Sequence, residues 1–372
     1  VLKEAKAARV GQTIGVEEEF HLVNPETGLP VSGAEQVLAV APRGLSLVQQ
    51  EFQRSMIETA TEVCTDLPGL RAAVINARAR LIDAADLNGF AVAAVGAVPG
   101  GGFQLGAVFP DERYRRISDE YRHLAVEQQV CACQVQVGVP DKDLAVRSIK
   151  WIRGWLPVLL ALSGGSPFFQ LADTGYSSYR NIVTTRWPTG GPPPAFAGLE
   201  DYERRLARLI DAGVISDPGM IYYDIRPSNH YPTLEIRIAD ACPLADDVIT
   251  LAALSRALVI TAARAEQAGG RPPNIDDEML RAATWKAARS GLTGQLIDPV
   301  AGQPVRAVEL ARQLVSWVRD ALDEAGETEV ALEGIEAIEH RGTSAQRQRR
   351  ILSSGKGFEG VVASVTEETR QG

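Results

Sequence analysis

Cysteine and histidine are scarce: four of each in 372 residues. Cys64, Cys131, Cys133 and Cys242 are too few and too scattered for a disulfide framework, so a reducing, cytoplasmic setting is expected. Cys131-x-Cys133 reads either as half of a metal site or as two small core residues on one strand face. No second Cys/His pair complements it, which favours the core. His21, His123, His230 and His340 stand alone, and no Gly-x-Ser-x-Gly elbow is present, so Ser-His-Asp hydrolysis is a weak candidate. Positive charge is also short. Lys and Arg number 38 against 47 Asp and Glu, and the net charge of −9 argues against a nucleic-acid partner. No uncharged apolar run reaches bilayer length; Trp155–Leu162 is apolar but short, and no membrane association is expected. Val1-Leu2-Lys3-Glu4-Ala5-Lys6 has no apolar core of a signal peptide. Pro99-Gly100-Gly101-Gly102 is not followed by Gly-Lys-Ser/Thr, which excludes a P-loop and leaves a mobile turn.

What is present suits a globular chain, with 45% hydrophobic and 23% charged residues and enough length for a sizeable core. No internal repeat or low-complexity linker divides it, so residues 1–372 are expected to form one α+β domain, a sheet with helices on one face. Extended segments are expected at Ile14–Leu22, Gln49–Cys64, Phe90–Val98, Cys131–Val139, Met220–Arg226 and Thr233–Asp240, the last two as a hairpin. Helices are expected from an Asp66 cap to Asn88-Gly89, over Asp111–Gln129, from Asp141 through Leu160, and over Leu199–Ala212, Leu244–Ala268, Ile275–Ser290 and Val305–Ala325. The long irregular stretch from Ser163 to Ala197 carries Phe168, Phe169, Tyr176, Tyr179 and Trp187, which argue for a functional loop over disorder.

The candidate chemistry sits on polar strand faces. Ile14, Val16, Phe20 and Leu22 alternate with Gly15, Glu17, Glu19 and His21. Taken alone, the second set is either a solvated strand face or a site for a hard cation, since Mg²⁺ and Mn²⁺ take oxygen ligands. Gln134/Gln136, Asp224/Arg226 and Glu235/Arg237 repeat the pattern, and Thr233, Glu235, Arg237 and Ala239 are expected to share a face. Acids with arginines on one face suit metal-assisted binding of a polyphosphate. Arg180 is either a loop salt bridge or a fork for a carboxylate or phosphate. Arg347, Arg349 and Arg350 are either a solvated helix face or a phosphate-closing segment.

Five motifs, in order, resemble the carboxylate–amine ligase family, the glutamate–cysteine ligase type 2 group and its YbdK-like branch. They are Gly15-Val16-Glu17-Glu18-Glu19-Phe20, Asp173-Thr174-Gly175-Tyr176-x-Ser178-Tyr179-Arg180, Tyr223-Asp224-Ile225-Arg226-Pro227-Ser228, Tyr231-Pro232-Thr233-Leu234-Glu235-Ile236-Arg237 and Arg347-Gln348-Arg349. The resemblance spans nearly the whole chain. It implies a glutamine-synthetase-like fold whose antiparallel sheet holds ATP and Mg²⁺ or Mn²⁺ on a concave polar face, with helices packed on the other. It also implies a reaction in which ATP phosphorylates a small-molecule carboxylate and an amine displaces the phosphate. Glu17, Glu19, Glu58 and Glu235 would then hold metal. Arg237 and Arg180 would serve catalysis, and Arg226, Gln134, Gln136, Arg347 and Arg349 would bind nucleotide or substrate. A homodimer is implied as well.

The chain departs from the family pattern in three places. Gln134-Val135-Gln136 stands where His-x-His is usual, Gly165 where Asn is usual, and Ser344 where Gly is usual. An amide can ligate or accept hydrogen bonds but cannot titrate as imidazole does. The expected activity is therefore a glutamate–cysteine ligase, weak or otherwise, or a related ligase of a specialised pathway. The alternative is an inactive nucleotide-binding homologue acting through a partner.

Overall fold

The computed structural model describes residues 9–41, 47–101 and 108–372. Gly102 and Phe103 of the glycine-rich turn lie outside the described residues. The early strands are β1 (Ile14–Val23), β2 (Leu47–Gln50), β3 (Met56–Ala60), β4 (Ala91–Ala93) and β5 (Ala132–Gly138). A small hairpin, β6 (Phe168–Phe169) with β7 (Ala172–Asp173), follows. Then come β8 (Ile225–Pro227), β9 (Thr233–Asp240) and a hairpin of β10 (Gln295–Asp298) with β11 (Gln303–Arg306). Seven strands form one antiparallel sheet in the order β2-β3-β1-β5-β9-β8, with β4 on the far end of β1. The expected α+β class and antiparallel sheet are what the chain forms.

The apolar face of the sheet is covered by three helices, Leu67–Asp86, Lys142–Ile152 and Ala245–Gln267. Ile14, Val16, Val135, Val137, Leu234 and Ile236 pack there with Leu70, Val74, Ile149, Leu251 and Leu258. Burying such a side chain contributes about 1.5–3 kcal/mol, so this face sets the sheet's register. The helix Ala245–Gln267 is long and apolar enough to cross a membrane by length and composition, but it is mostly buried as the core helix. Asp66 caps the helix Leu67–Asp86, accepting a hydrogen bond from the Gly69 N–H at 2.7 Å. All four cysteines are free and buried, and Cys133 lies in the main core.

One charge crosses to the apolar side. Glu18 meets Arg78 in a two-pronged pair of 2.6 and 3.1 Å, and Arg78 also donates to the carbonyls of Cys242 and Pro243. This joins β1, the helix Leu67–Asp86 and the chain leaving β9.

Several expected elements are shorter or divided. The segment from Asp141 breaks into Lys142–Ile152 and Leu156–Ser163, because Pro157 has no N–H for a continuous helix. The helix expected over Asp111–Gln129 divides at Arg122, whose φ is 54°. Gln49–Cys64 is two strands, with Glu51 on the loop between them, and only Ala91–Ala93 of Phe90–Val98 is a strand. The β10–β11 hairpin precedes helices Ala307–Trp317 and Arg319–Ala325 where continuous helix was expected.

β9 carries a bulge. Cys133 pairs with Ala239 and Val135 with Ile236, so one β5 residue faces two on β9, Arg237 and Ile238. Ala239 consequently packs in the core instead of on the polar face expected for it. Asp240 takes that place, opposite Ala132. It is fully buried and accepts hydrogen bonds from the Gly165 N–H (2.9 Å), the Ser166 hydroxyl (2.6 Å) and the Ser178 hydroxyl (2.7 Å). These bonds tie the irregular region after Ser163 to the sheet.

Candidate active site

The polar face of the sheet floors a cleft of about 1310 Å³. Register brings the predicted residues side by side. Glu19 is opposite Glu58 on β3, Glu17 is opposite Gln134 on β5, and Glu235 is flanked by Gln136 and Arg226. Glu17, Glu19, Glu58, Glu235, Gln134, Gln136, Arg180, Arg226 and Arg237 all line this one cleft. His21 shares the β1 face but lies beyond the cleft, fully buried, with neither ring nitrogen hydrogen-bonded among the described residues; burial pushes its imidazole down to about 3, so it is neutral.

The acids fall into two environments. Burial raises the Glu58 carboxyl well above the usual range, and Glu51, Glu17 and Glu19 push it further. Burial, and then Glu19, push Glu51 up to about 7. Burial also raises Glu17, helped by Glu235, and it raises Glu19 against the pull of Arg180 and Arg237. Glu235 is the reverse case: burial would raise it, but Arg237 and Arg226 outweigh that and hold it at about 2. Arg226 forks onto it at 2.9 and 3.3 Å, and Arg237 pairs with it directly.

The glutamines bridge these groups. The Gln134 amide donates to Glu19 at 2.6 Å, and its oxygen accepts from Arg237. The Gln136 amide donates to Glu17 at 3.2 Å, and its oxygen accepts from the Thr233 hydroxyl. Glu19 accepts a further bond from the Ala132 N–H at 2.7 Å. In place of imidazoles, two amides hold the carboxylates of β1 in line.

Two arginines act through other groups. Arg180 is buried and donates to the carbonyls of Ile238 (3.0 Å) and Arg237 (2.9 Å), the two residues of the bulge. It therefore positions Arg237, with Asp240 3.6 Å away, instead of extending a free fork. Arg226 also donates to the carbonyls of Gly219 (3.1 Å) and Ile221 (2.6 Å), holding that turn against the sheet.

Arg347 and Arg349 do not reach the cleft. Arg347 forks onto Glu368 at 2.9 Å, and Arg349 pairs with Asp173 at 2.6 Å and with the Tyr176 carbonyl at 2.9 Å. They join the C-terminal helices to each other and to the β6–β7 hairpin.

Glu51 and Asn181 join the cleft without having been selected from the sequence, and Asp224, placed on a polar strand face by the sequence but given no role there, joins it as well. Glu51 sits on a loop, where no periodicity assigns a face. Asp224 precedes β8, and Asn181 lies in the short helix Tyr179–Thr184.

Hard oxygen donors crowded together in a buried cleft, with pKa values raised by burial and mutual repulsion, fit a divalent cation, which relieves both. Among the described residues, no three acid, imidazole or thiolate groups already close on a common point, so a cation bound here would have to draw Glu17, Glu19, Glu51 and Glu58 together.

The model of glutamate–cysteine ligase family 2 matches residues 13–368. A Frankia casuarinae protein, provisionally named glutamate–cysteine ligase 2-2, is 43% identical over 96% of this chain. The chain spans 41% of that protein's length. Provisionally named glutamate–cysteine ligases 2 of Nocardia farcinica and Salinispora arenicola are 38% and 40% identical over 97% and 96% of the chain, covering 94% and 95% of those proteins. Among solved structures, a Francisella tularensis glutamate–cysteine ligase in complex with AMP superposes with a TM-score of 0.71 over 98% of this chain and 89% of that one, at 11% identity. A bifunctional glutathione synthetase of Pasteurella multocida gives 0.68 over 96% of this chain and 51% of that one, at 14% identity.

Proposed function

As the chain belongs to glutamate–cysteine ligase family 2, we propose that it is an ATP- and Mg²⁺-dependent ligase joining a small carboxylic acid to an amine through an acyl phosphate. The observation that carries this is the row of Glu58, Glu19, Glu17 and Glu235, buried or half-buried, with Arg237 beside Glu235 on the same floor of one cleft. Glutamate and cysteine, named for the relatives, are the first substrates to test, and the AMP complex of the Francisella protein supports use of an adenine nucleotide.

Glu17, Glu19, Glu58 and Glu235 would hold Mg²⁺ or Mn²⁺, with Glu51 close enough to contribute. Bound there, the cation would neutralise phosphate charge and so ease phosphoryl transfer. The protein's own part is positional and electrostatic. Arg237, fixed by the bulge and by Gln134, places permanent positive charge where the transferring phosphoryl carries negative charge. Arg180 keeps that guanidinium aimed. The buried floor limits water that would hydrolyse an acyl phosphate. A homodimer in a cytoplasmic setting is part of the same proposal.

The test is ADP release by the purified chain with Mg²⁺ and ATP. A panel of L-glutamate, other amino acids and short aliphatic acids is crossed with L-cysteine, other amino acids and methylamine. Acid-dependent ADP release that yields an amide is expected. ATP binding without ADP from any pair would favour the inactive homologue.

A further inference from the structure

Among the described residues, two enclosed side-chain polar atoms of cleft-lining residues have no hydrogen-bond partner. Asp224 is 5% exposed, and its Oδ2 is enclosed without a hydrogen bond. Asn181 is 2% exposed, and its Nδ2 is likewise enclosed and unbonded. Both line the cleft. Buried polar atoms are almost always satisfied, so an unmet acceptor and an unmet donor in one ligand cleft point to groups the ligand brings.

Both backbones are tied to the same stretch of β9, Asp224 directly and Asn181 through the neighbouring Arg180. The Asp224 N–H donates to the Gly191 carbonyl at 2.9 Å, and its carbonyl accepts the Arg237 N–H at 2.8 Å. Asn181 follows Arg180, whose guanidinium grips the carbonyls of Arg237 and Ile238. The Asn181 N–H is taken by the Ser178 hydroxyl at 3.2 Å. Neither side chain is needed to hold its own backbone.

None of the hydrogen bonds given above joins Asp224 or Asn181 to Glu17, Glu19, Glu58 or Glu235. Charged groups bear on Asp224 from two elements: Arg180 from the helix Tyr179–Thr184 and Arg237 from β9. Burial outweighs both and pushes the Asp224 carboxyl up to about 7. A base of that strength is matched to neutral pH.

On the ligase reading above, we propose that Asp224 is a catalytic residue that accepts the proton of the incoming ammonium, while Asn181 donates a hydrogen bond to a carboxylate or carbonyl on the same amine substrate. The substrate class this defines is a primary amine bearing an acceptor group, as an amino acid does. The amine enters as R–NH₃⁺, with an N–H on the Asp224 carboxylate. That proton passes to the carboxylate oxygen, and the freed lone pair attacks the acyl carbon. The C–N bond forms and the C–O bond to phosphate breaks. Phosphate leaves with that electron pair and with the second amine proton, as HPO₄²⁻, and Asp224 returns its proton to water.

The test compares two nucleophiles on the full chain. One is L-cysteine, or whichever amine of the panel gives faster amide formation. The other is hydroxylamine, which is already uncharged near neutral pH and needs no base. Asp224→Asn, with its fold checked by circular dichroism, is expected to slow amide formation by about 10²- to 10⁴-fold. Hydroxylamine is expected to rescue most of that loss as hydroxamate. The wild-type acid limb of the kcat profile, at saturating Mg²⁺ and above about pH 6, should be steeper with the protonated amine than with hydroxylamine, a measurement that needs no variant. Asn181→Ala should raise the amine KM about three- to tenfold, the worth of one hydrogen bond. Equal losses with both nucleophiles, or an unchanged rate with the amine, would overturn the assignment of Asp224. Absence of ADP from the wild type with every acid would instead overturn the ligase reading, and the assignment with it.

Discussion

Replacing Glu18 by Gln should destabilise the protein far more than a change of one atom type suggests. The Glu18 and Arg78 side chains are 3% and 2% exposed, and the carboxylate takes two guanidinium hydrogen bonds at 2.6 and 3.1 Å. Each charge-assisted bond is worth about 1.5–3 kcal/mol. Glutamine keeps the volume, so no cavity forms. It retains one neutral acceptor and loses the other, and the Arg78 charge is left buried with only the carbonyls of Cys242 and Pro243. Losing one such bond and weakening the other gives about 3–4 kcal/mol, within the 3–5 kcal/mol typical of breaking a buried pair. The internal control is Arg71–Asp246, a pair of similar length whose side chains are 49% and 71% exposed. Asp246→Asn should cost under about 1 kcal/mol. Equilibrium unfolding in urea, with both variants at one pH and ionic strength, measures the difference. Equal costs, or less than about 1 kcal/mol for Glu18→Gln, would refute the claim that burial sets the value of this pair.

Other consequences are open to measurement. Glu17→Gln or Glu235→Gln should abolish ATP turnover while leaving far-ultraviolet circular dichroism unchanged; wild-type turnover in either would remove the acidic row from the mechanism. Glu51, at about 7, and Asp224, also about 7, bind protons more tightly folded than unfolded. Their contributions therefore favour folding below the ordinary carboxylate range and decline as pH rises towards 7, whereas that of Glu235, held at about 2, is present above that range and lost as pH falls towards 2. Because protons compete with metal, Mg²⁺ should raise the melting temperature more at about pH 8 than at about pH 5, and equal shifts would count against carboxylate ligation. Arg180→Ala should lower both stability and kcat, since it frees the bulge carbonyls, whereas Arg349→Ala should leave the KM for ATP within about twofold; the reverse ranking in a steady-state assay would reassign both. Gln136→His should change metal or amine preference more than unfolding midpoint, and identical kinetics across metals and amines would show that the amide is only a spacer.

Strand alternation was a good guide wherever a strand was regular. On β1 it assigned both faces, and on β5 it placed Gln134 and Gln136 on the cleft side. It failed at Ala239 because an extra residue interrupts the period, and nothing local in Thr233–Asp240 announces a bulge. Glu51 escaped selection because it lies between two short strands, where a side chain's direction depends on packing with distant elements. The sequence marked Glu18 only as a third acid in a row. Its partner Arg78 is 60 residues away on a helix, and only the packed structure brings them together. Arg347 and Arg349 show the same limit: a basic motif does not reveal that Glu368 and Asp173 pair with it.

The bulge on β9 makes the count of residues there matter as well as their identity. A strand is an odd-and-even code, and one additional residue at Arg237–Ile238 switches the code midway. That switch lets one strand present Glu235 and Arg237 to the cleft and still turn Asp240 towards Ser166 and Ser178. Deleting a single residue at this point would produce a more regular-looking strand and a worse protein. Asp240 would be steered into the hydrocarbon layer, Ala239 would be turned out of it, and the segment from Ser163 to Arg180 would lose its anchor on the sheet. Family members should therefore keep two residues at positions 237 and 238 whatever side chain stands at 238, and at this point length is guarded alongside the chemistry of Arg237.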